Sequence, residues 1–163
     1  RWNTMRKCLQ IVFYILLFCT YANSLELIGK VIKVSDGDTI TLLTDDKVSH
    51  KIRLNDIDAP EKKQAFGSKS RDNLASYIAG EIVTVKYKSK DRYGRVLGTI
   101  YFDNLDINLQ QIKNGYAWVY KQYSKNQTYY QEEQKARDLK KGLWIEKEPI
   151  APWEFRKQKK AKN

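Results

Sequence analysis

The 163-residue chain is poor in the side chains that carry most nucleophilic and soft-metal chemistry. It has two cysteines, Cys8 and Cys19, one histidine, His50, and one methionine, Met5. Both cysteines fall within the first 19 residues, so the rest of the chain holds no thiol. Beyond residue 19 this excludes an internal disulfide framework, a zinc–thiolate site and a cysteine nucleophile. A domain without such staples relies on its apolar core. His50 falls on the apolar parity of its strand, where a structural role is the usual one, so serine–histidine catalysis has little support. Long hydrophobic runs are also missing. The apolar stretch Ile11–Phe18 is too short for a spanning helix, which needs about 20 residues.

That short stretch fits a different purpose. Met5-Arg6-Lys7 supplies a basic start, Ile11–Phe18 an apolar centre, and Thr20–Ser24 small and polar residues, the layout of a secretory signal peptide. Cleavage is expected near Ala22–Ser24, with a secreted or periplasmic product. A lipid anchor on Cys19 is the alternative, and the bulky Phe18 before it argues against one. Removal of residues 1–24 takes Arg1, Arg6 and Lys7 and no acid, lowering the net charge only from +11 to +8. A basic excess with eleven tyrosines points to an anionic partner, nucleic acid first. Solubility alone is the plainer reading of the same charge. No repeat is present, and with no oligomerisation signal a monomer is expected. The expected division is residues 1–24 signal, 25–155 one folded domain, and 156–163 a basic disordered tail.

The folded part begins with strands. Leu27–Val34 reads as a strand with Ile28, Ile32 and Val34 on one parity. Asp36-Gly37 is a turn, Thr39–Leu43 a returning strand, and Thr44–Lys47 another turn. Val48, His50, Ile52 and Leu54 alternate with polar residues, which puts Arg53 on the face away from the apolar set. Helical spacing over Gln64–Ala79 stops at Gly80. Two more strands, Glu81–Lys88 and Arg95–Phe102, follow. A short helix near Asp106–Asn114 ends at Gly115. A last helix starts at Thr128, with Thr128 and Gln131 as its capping box, and runs to Gly142. Three strands, a helix, two strands and then helices is the order of a five-stranded OB-fold barrel, here with three helices.

Three charged segments carry the chemistry: Asp36-Gly37-Asp38-Thr39, Arg53–Glu61 and Asp91–Arg95. Asp38 and Asp58 offer the oxygen ligands that a hard cation such as Ca²⁺ takes, and Pro60 stiffens the loop so that the Ala59 carbonyl can join them. Glu61 lies close enough to direct or deprotonate a water. Arg53 and Arg95 offer planar forks for a phosphate and its transition state. Tyr93 offers a ring for base stacking. Read singly, Asp36-Gly37 is only a turn, Asp56 and Asp58 are turn formers, and Asp91–Arg95 is a solvated loop. Together, on a basic chain, they favour metal-plus-carboxylate chemistry on a phosphodiester.

The same segments resemble the thermonuclease, or staphylococcal-nuclease-like, family. The resembling residues are Val34–Thr39, Arg53-Leu54 with Ile57–Glu61, and Asp91–Arg95; the likeness spans roughly Ile28 to Trp144. Gly115–Tyr120 looks like the family's segment after its second helix, and Gly142-Leu143-Trp144 followed by Pro152–Arg156 looks like the C-terminal end of its secreted bacterial members. The resemblance implies an OB-fold barrel with three helices and a Ca²⁺-dependent endonuclease acting on DNA and RNA. It also implies Asp38, Asp58 and the Ala59 carbonyl as metal ligands, Glu61 as general base, Arg53 and Arg95 as the phosphate clamp, and Tyr93 and Tyr123 against the nucleotide. Ala59 stands where the type member has Thr, which matters little for a carbonyl ligand. Asp56 has no assigned role. A module that binds nucleic acid without cleaving it is the alternative.

Overall fold

A computed structural model describes residues 24–161. Residues 1–23 of the expected signal segment lie outside these residues. Among the described residues there are eight strands: β1 (Leu25–Asp36), β2 (Thr39–Thr44), β3 (Ser49–Leu54), β4 (Ile57–Asp58), β5 (Ile82–Lys90), β6 (Val96–Phe102), β7 (Leu105–Asp106) and β8 (Trp118–Val119). The helices are α1 (Gly67–Ile78), α2 (Ile107–Lys113), α3 (Gln127–Asp138) and α4 (Pro152–Ala161), with a 3₁₀ turn at Gly142–Ile145.

Five strands close a barrel. β1 pairs antiparallel with β2 through its second half and with β5 through its first half, so one 12-residue strand serves both sides. β2 pairs with β3 and β5 with β6, and the parallel β3–β6 pairing shuts the ring. Register shifts in β1, between Val31 and Lys33 and between Val34 and Asp36, mark the bulges that let it bend so far. This is the five-stranded OB-fold arrangement.

The interior is filled by Val31, Ile40, Leu42, Ile52, Leu54, Val83, Val85, Val96 and Ile100, capped by Leu74 and Ile78 of α1 and Ile107 and Ile112 of α2. Fully burying each such side chain contributes about 1.5–3 kcal/mol. A second cluster of Trp118, Ala136, Leu143, Trp144 and Ala151, with Phe66 and Trp153 against it, joins α3, the 3₁₀ turn and α4 to the barrel flank. Arg137 lies over the rings of Trp144 and Trp118, at 3.8 and 4.7 Å from their centroids.

Four sequence expectations change. The inward set of β1 is not Ile28 and Ile32, which are 59% and 50% exposed; Val31 is buried and Leu27 packs against the core. The bulges shift the parity that the outer isoleucines suggested. The cap of α3 is Asn126, whose side chain accepts from the N–H groups of Thr128 and Tyr129, so Thr128 is not the capping residue. The helices among the described residues number four, not three. The fourth, α4, starts at Pro152 inside the expected domain and continues through Ala161, taking in residues 156–161 of the expected disordered tail. Its reason is local. Ala151 is buried, Pro152 takes the first helical position, where a missing N–H costs nothing, and Trp153 docks on Trp118 and Tyr120. Among the described residues, no helix is long and apolar enough to cross a membrane.

Candidate active site

The Asp36–Asp38 turn joins β1 to β2. Asp36 Oδ1 accepts from the backbone N–H of Asp38, and the Asp38 carbonyl accepts from the Leu54 N–H at 2.8 Å. This ties the turn to the end of β3. Gly37 is obligatory for space: a Cβ there would lie 1.8 Å from Ser70 Oγ of α1. The Gly37 carbonyl also accepts from buried Gln111 of α2 at 2.6 Å. Two helices therefore clamp the turn that presents Asp38.

β3 brings Arg53 to the same place. Its neighbours Ile52 and Leu54 point into the barrel and are fully buried, which sends Arg53 outward. The chain then reverses at Asn55-Asp56. Asp56 sits at φ 63°, a left-handed backbone that Asp tolerates better than most residues, and its carbonyl accepts from the Tyr120 N–H. This gives Asp56 the role the sequence withheld: it turns the chain so that β4 folds back over Arg53. The Arg53 guanidinium donates to the carbonyl of Ile57 and to Asp58 Oδ1, both at 2.9 Å. Its side chain is only 12% exposed. Freedom from the core has not left Arg53 open to solvent, because the following loop covers it.

Asp38 and Asp58 converge on that guanidinium. One nitrogen, Arg53 Nη2, lies 3.1 Å from Asp38 Oδ2 and 2.9 Å from Asp58 Oδ1. Asp38 Oδ2 also accepts from the buried Ala59 N–H at 2.7 Å. Burial pushes the Asp58 carboxyl upward; the Arg156 hydrogen bond opposes this, and the negative charge of Asp38 adds to the rise. Asp36, beside Asp38, is pushed up to about 7 by burial and by that neighbouring carboxylate.

Glu61 follows Pro60 at the rim, and its side chain is 42% exposed. Its backbone is fixed by α1, since a Cβ at Gly67 would lie 2.1 Å from the Glu61 carbonyl oxygen. The Glu61 carboxylate joins Asp58 through a residue that sequence reasoning placed in the tail. Arg156 of α4 donates from Nη2 to Asp58 Oδ2 at 2.7 Å and from Nη1 to Glu61 Oε1 at 2.8 Å.

The third segment stands apart. Asp91–Arg95 forms the turn before β6, which runs parallel beside β3 with Leu97 opposite Arg53. Topology thus brings Arg95 to the same flank. Its Nε bonds Asp91 Oδ2 at 2.8 Å, and its guanidinium makes no ion pair with Asp38, Asp58 or Glu61. Tyr93 is 69% exposed, beneath the guanidiniums of Arg92 and Arg95. Tyr123 is 66% exposed and stands edge-on to Tyr120, whose ring lies parallel to Trp153 at 5.7 Å.

The donors at the Asp38–Asp58 pair suit a hard cation: carboxylate oxygens and nearby main chain, with neither sulfur nor imidazole. Among the described residues, no three acidic, imidazole or thiol groups gather closely enough to hold a metal. A cation here would take two carboxylates and complete its shell with a carbonyl and waters.

An OB-type barrel here carries paired aspartates, a rim glutamate and guanidiniums on one flank. The chain belongs to the family of staphylococcal nuclease homologues, whose model matches residues 51–146. It is 46% identical over 131 residues to an uncharacterized endonuclease of Haemophilus influenzae, covering 80% of this chain and 74% of that protein. A similarly named Escherichia coli protein is 41% identical over 156 residues, 95% of this chain and 100% of its own. A micrococcal nuclease of Shigella flexneri is 38% identical over 143 residues, 81% of this chain and 82% of that protein.

Proposed function

We propose that the protein is a calcium-dependent nuclease that hydrolyses internal phosphodiester bonds of DNA and RNA. The observation that carries this reading is the convergence of Asp38 and Asp58 on one guanidinium, with Glu61 linked to Asp58, in a chain of the nuclease family. Asp38, Asp58 and the Ala59 carbonyl would hold the ion. When bound, Ca²⁺ supplies Lewis-acid polarisation of a phosphoryl oxygen.

The chain's own groups do the rest. Glu61, the most exposed of the three carboxylates, accepts a proton from the attacking water and orients it along the line of the leaving oxygen. Arg95 donates N–H groups to the phosphate oxygens, where charge builds as the water attacks, and Arg53 joins it with the donors that Asp38 and Asp58 release as they turn to the ion. Arginine suits this better than lysine because its planar fork meets two oxygens at once. Tyr93 and Tyr123 present exposed rings on which bases stack without sequence preference. The basic excess attracts a polyanion and makes binding salt-sensitive. Export through the segment Met5–Ser24 completes the reading, and mass measurement of the mature N-terminus tests it.

Digestion of supercoiled plasmid and of a single-stranded RNA, with Ca²⁺ and with EGTA, tests the activity. Cleavage of both in Ca²⁺ and of neither in EGTA is expected. Full activity in EGTA would remove calcium from the account. Salt-sensitive binding with no cleavage under any divalent cation would leave a non-catalytic binding module.

A further inference from the structure

The described end of the chain reaches back into the site. Trp153 lies parallel to the Tyr120 ring and edge-on to Trp118, each with ring centroids 5.7 Å apart. Arg156 is three residues further along the same helix and so lies on the same face. Docking of Trp153 therefore delivers the Arg156 guanidinium to Asp58 and Glu61. Further support comes from Gln64, which donates to the Ile150 carbonyl at 2.6 Å just before α4 begins.

At Asp58 the consequence is specific. Its side chain is 2% exposed, so solvent does not compete for its oxygens. Oδ1 accepts from Arg53 at 2.9 Å and from Arg156 Nη1 at 3.3 Å; Oδ2 accepts from Arg156 Nη2 at 2.7 Å. Both oxygens of the carboxylate assigned to the cation are thus engaged by guanidinium donors. A divalent ion meets three carboxylates already facing two guanidiniums, and like charge opposes its entry.

We propose that Arg156 is a tethered stand-in for the metal: its guanidinium bridges Asp58 and Glu61 until a divalent cation displaces it from Asp58. The inference rests on the calcium site proposed above and adds a competitor within the chain. Arg156 is a positioning residue by this account. It keeps the two carboxylates together before the ion arrives, and it sets how much ion is needed. The side chain is 37% exposed, so it can leave Asp58 for water without unseating the helix, whose aromatic anchor is Trp153.

Calorimetric titration of the full protein with CaCl₂, without nucleic acid, tests this directly. Arg156→Gln is expected to bind Ca²⁺ roughly 10-fold more tightly than wild type, the lower end of the effect of a hydrogen bond between charged groups. Arg156→Lys keeps the charge but loses the fork and is expected to fall between them. Lys159→Ala and Lys160→Ala remove charge from exposed positions on the same helix and control for net charge; each is expected to shift affinity less than about twofold. Melting in EDTA confirms that each variant is folded, and Arg156→Lys remains informative where Arg156→Gln is not. Wild-type affinity in either Arg156 variant, or weaker binding, overturns the inference. So does an equal shift in the Lys159 and Lys160 variants. Unchanged affinity beside calcium-dependent plasmid cleavage by wild type sinks only the stand-in role; absence of Ca²⁺ binding by every variant sinks both it and the calcium site.

Discussion

Two arginine–carboxylate clusters of similar composition sit on one flank of the barrel and behave differently. At the barrel mouth, Asp38, Arg53 and Asp58 are joined beneath a covering loop, with side-chain exposures of 9%, 12% and 2%. On the turn before β6, Asp91 and Arg95 are 15% and 29% exposed, and Tyr93 stands in solvent at 69%. In the first cluster each charge is fixed by several partners and little water. In the second, Asp91 holds a turn by accepting from the backbone N–H groups of Tyr93 and Arg95, and Arg95 has one carboxylate partner. Burial makes the first cluster a rigid seat. In the second cluster the Tyr93 ring stands in solvent and Arg95 is partly open to it.

Asp58→Ala probes that difference most strongly. Removing one partner of a buried ion network costs up to about 3–5 kcal/mol; here Arg53 keeps Asp38 and Arg156 keeps Glu61, so the loss falls at or below the lower end of that range. A marked loss of stability in urea unfolding is expected, together with loss of cleavage. A change of under 1 kcal/mol would show that the mouth is not the rigid seat described. Arg95→Ala should do the reverse. Cleavage is expected to fall about 10²–10³-fold, the usual effect of losing one transition-state donor, while the unfolding midpoint stays near wild type. Near-full activity would remove Arg95 from the clamp.

The smallest effect is that of Asp91→Asn. Burial pushes the Asp91 carboxyl up, but hydrogen bonds from Arg95 and the turn N–H groups outweigh it and hold it below the ordinary value of 3.8. A depressed folded value means the carboxylate stabilises the fold above that ordinary value, and this stabilisation is lost as pH falls through the lower folded one. The wild type should therefore melt slightly above Asp91→Asn at pH 6, with the gap closing toward pH 3. A gap that widens in acid would contradict the sign.

Much of this was legible in the sequence, and the illegible parts share a cause. Alternation of Ile52 and Leu54 around Arg53 gave its face, because period two is a local property of a strand. Gly80 and Gly115 marked helix ends, and both have positive φ, 80° and 72°. The same local reasoning failed at β1, where bulges break the alternation and Ile28 and Ile32 face outward. It also failed to reveal that Arg53 is covered, since its cover comes from a turn set by Asp56 in a left-handed conformation and held by Tyr120 far along the chain. Arg156 was the largest omission. The run Arg156–Asn163 is basic and polar, which by composition alone reads as disorder. The available signal lay just upstream: Pro152 at a helix start and Trp153 three residues before the arginine. Composition describes the exposed face of α4, while its anchor is a tertiary contact.

Glu61, beside the Asp38–Asp58 pair, is proposed above as the water-directing group of a calcium-dependent nuclease. The most direct test is the single-turnover cleavage rate of a labelled DNA oligonucleotide in saturating Ca²⁺ by wild type and Glu61→Gln, with the melting temperature of each measured in parallel. A rate reduced at least about 10²-fold in a protein that melts with wild type is expected. Equal rates in the two proteins would contradict the account.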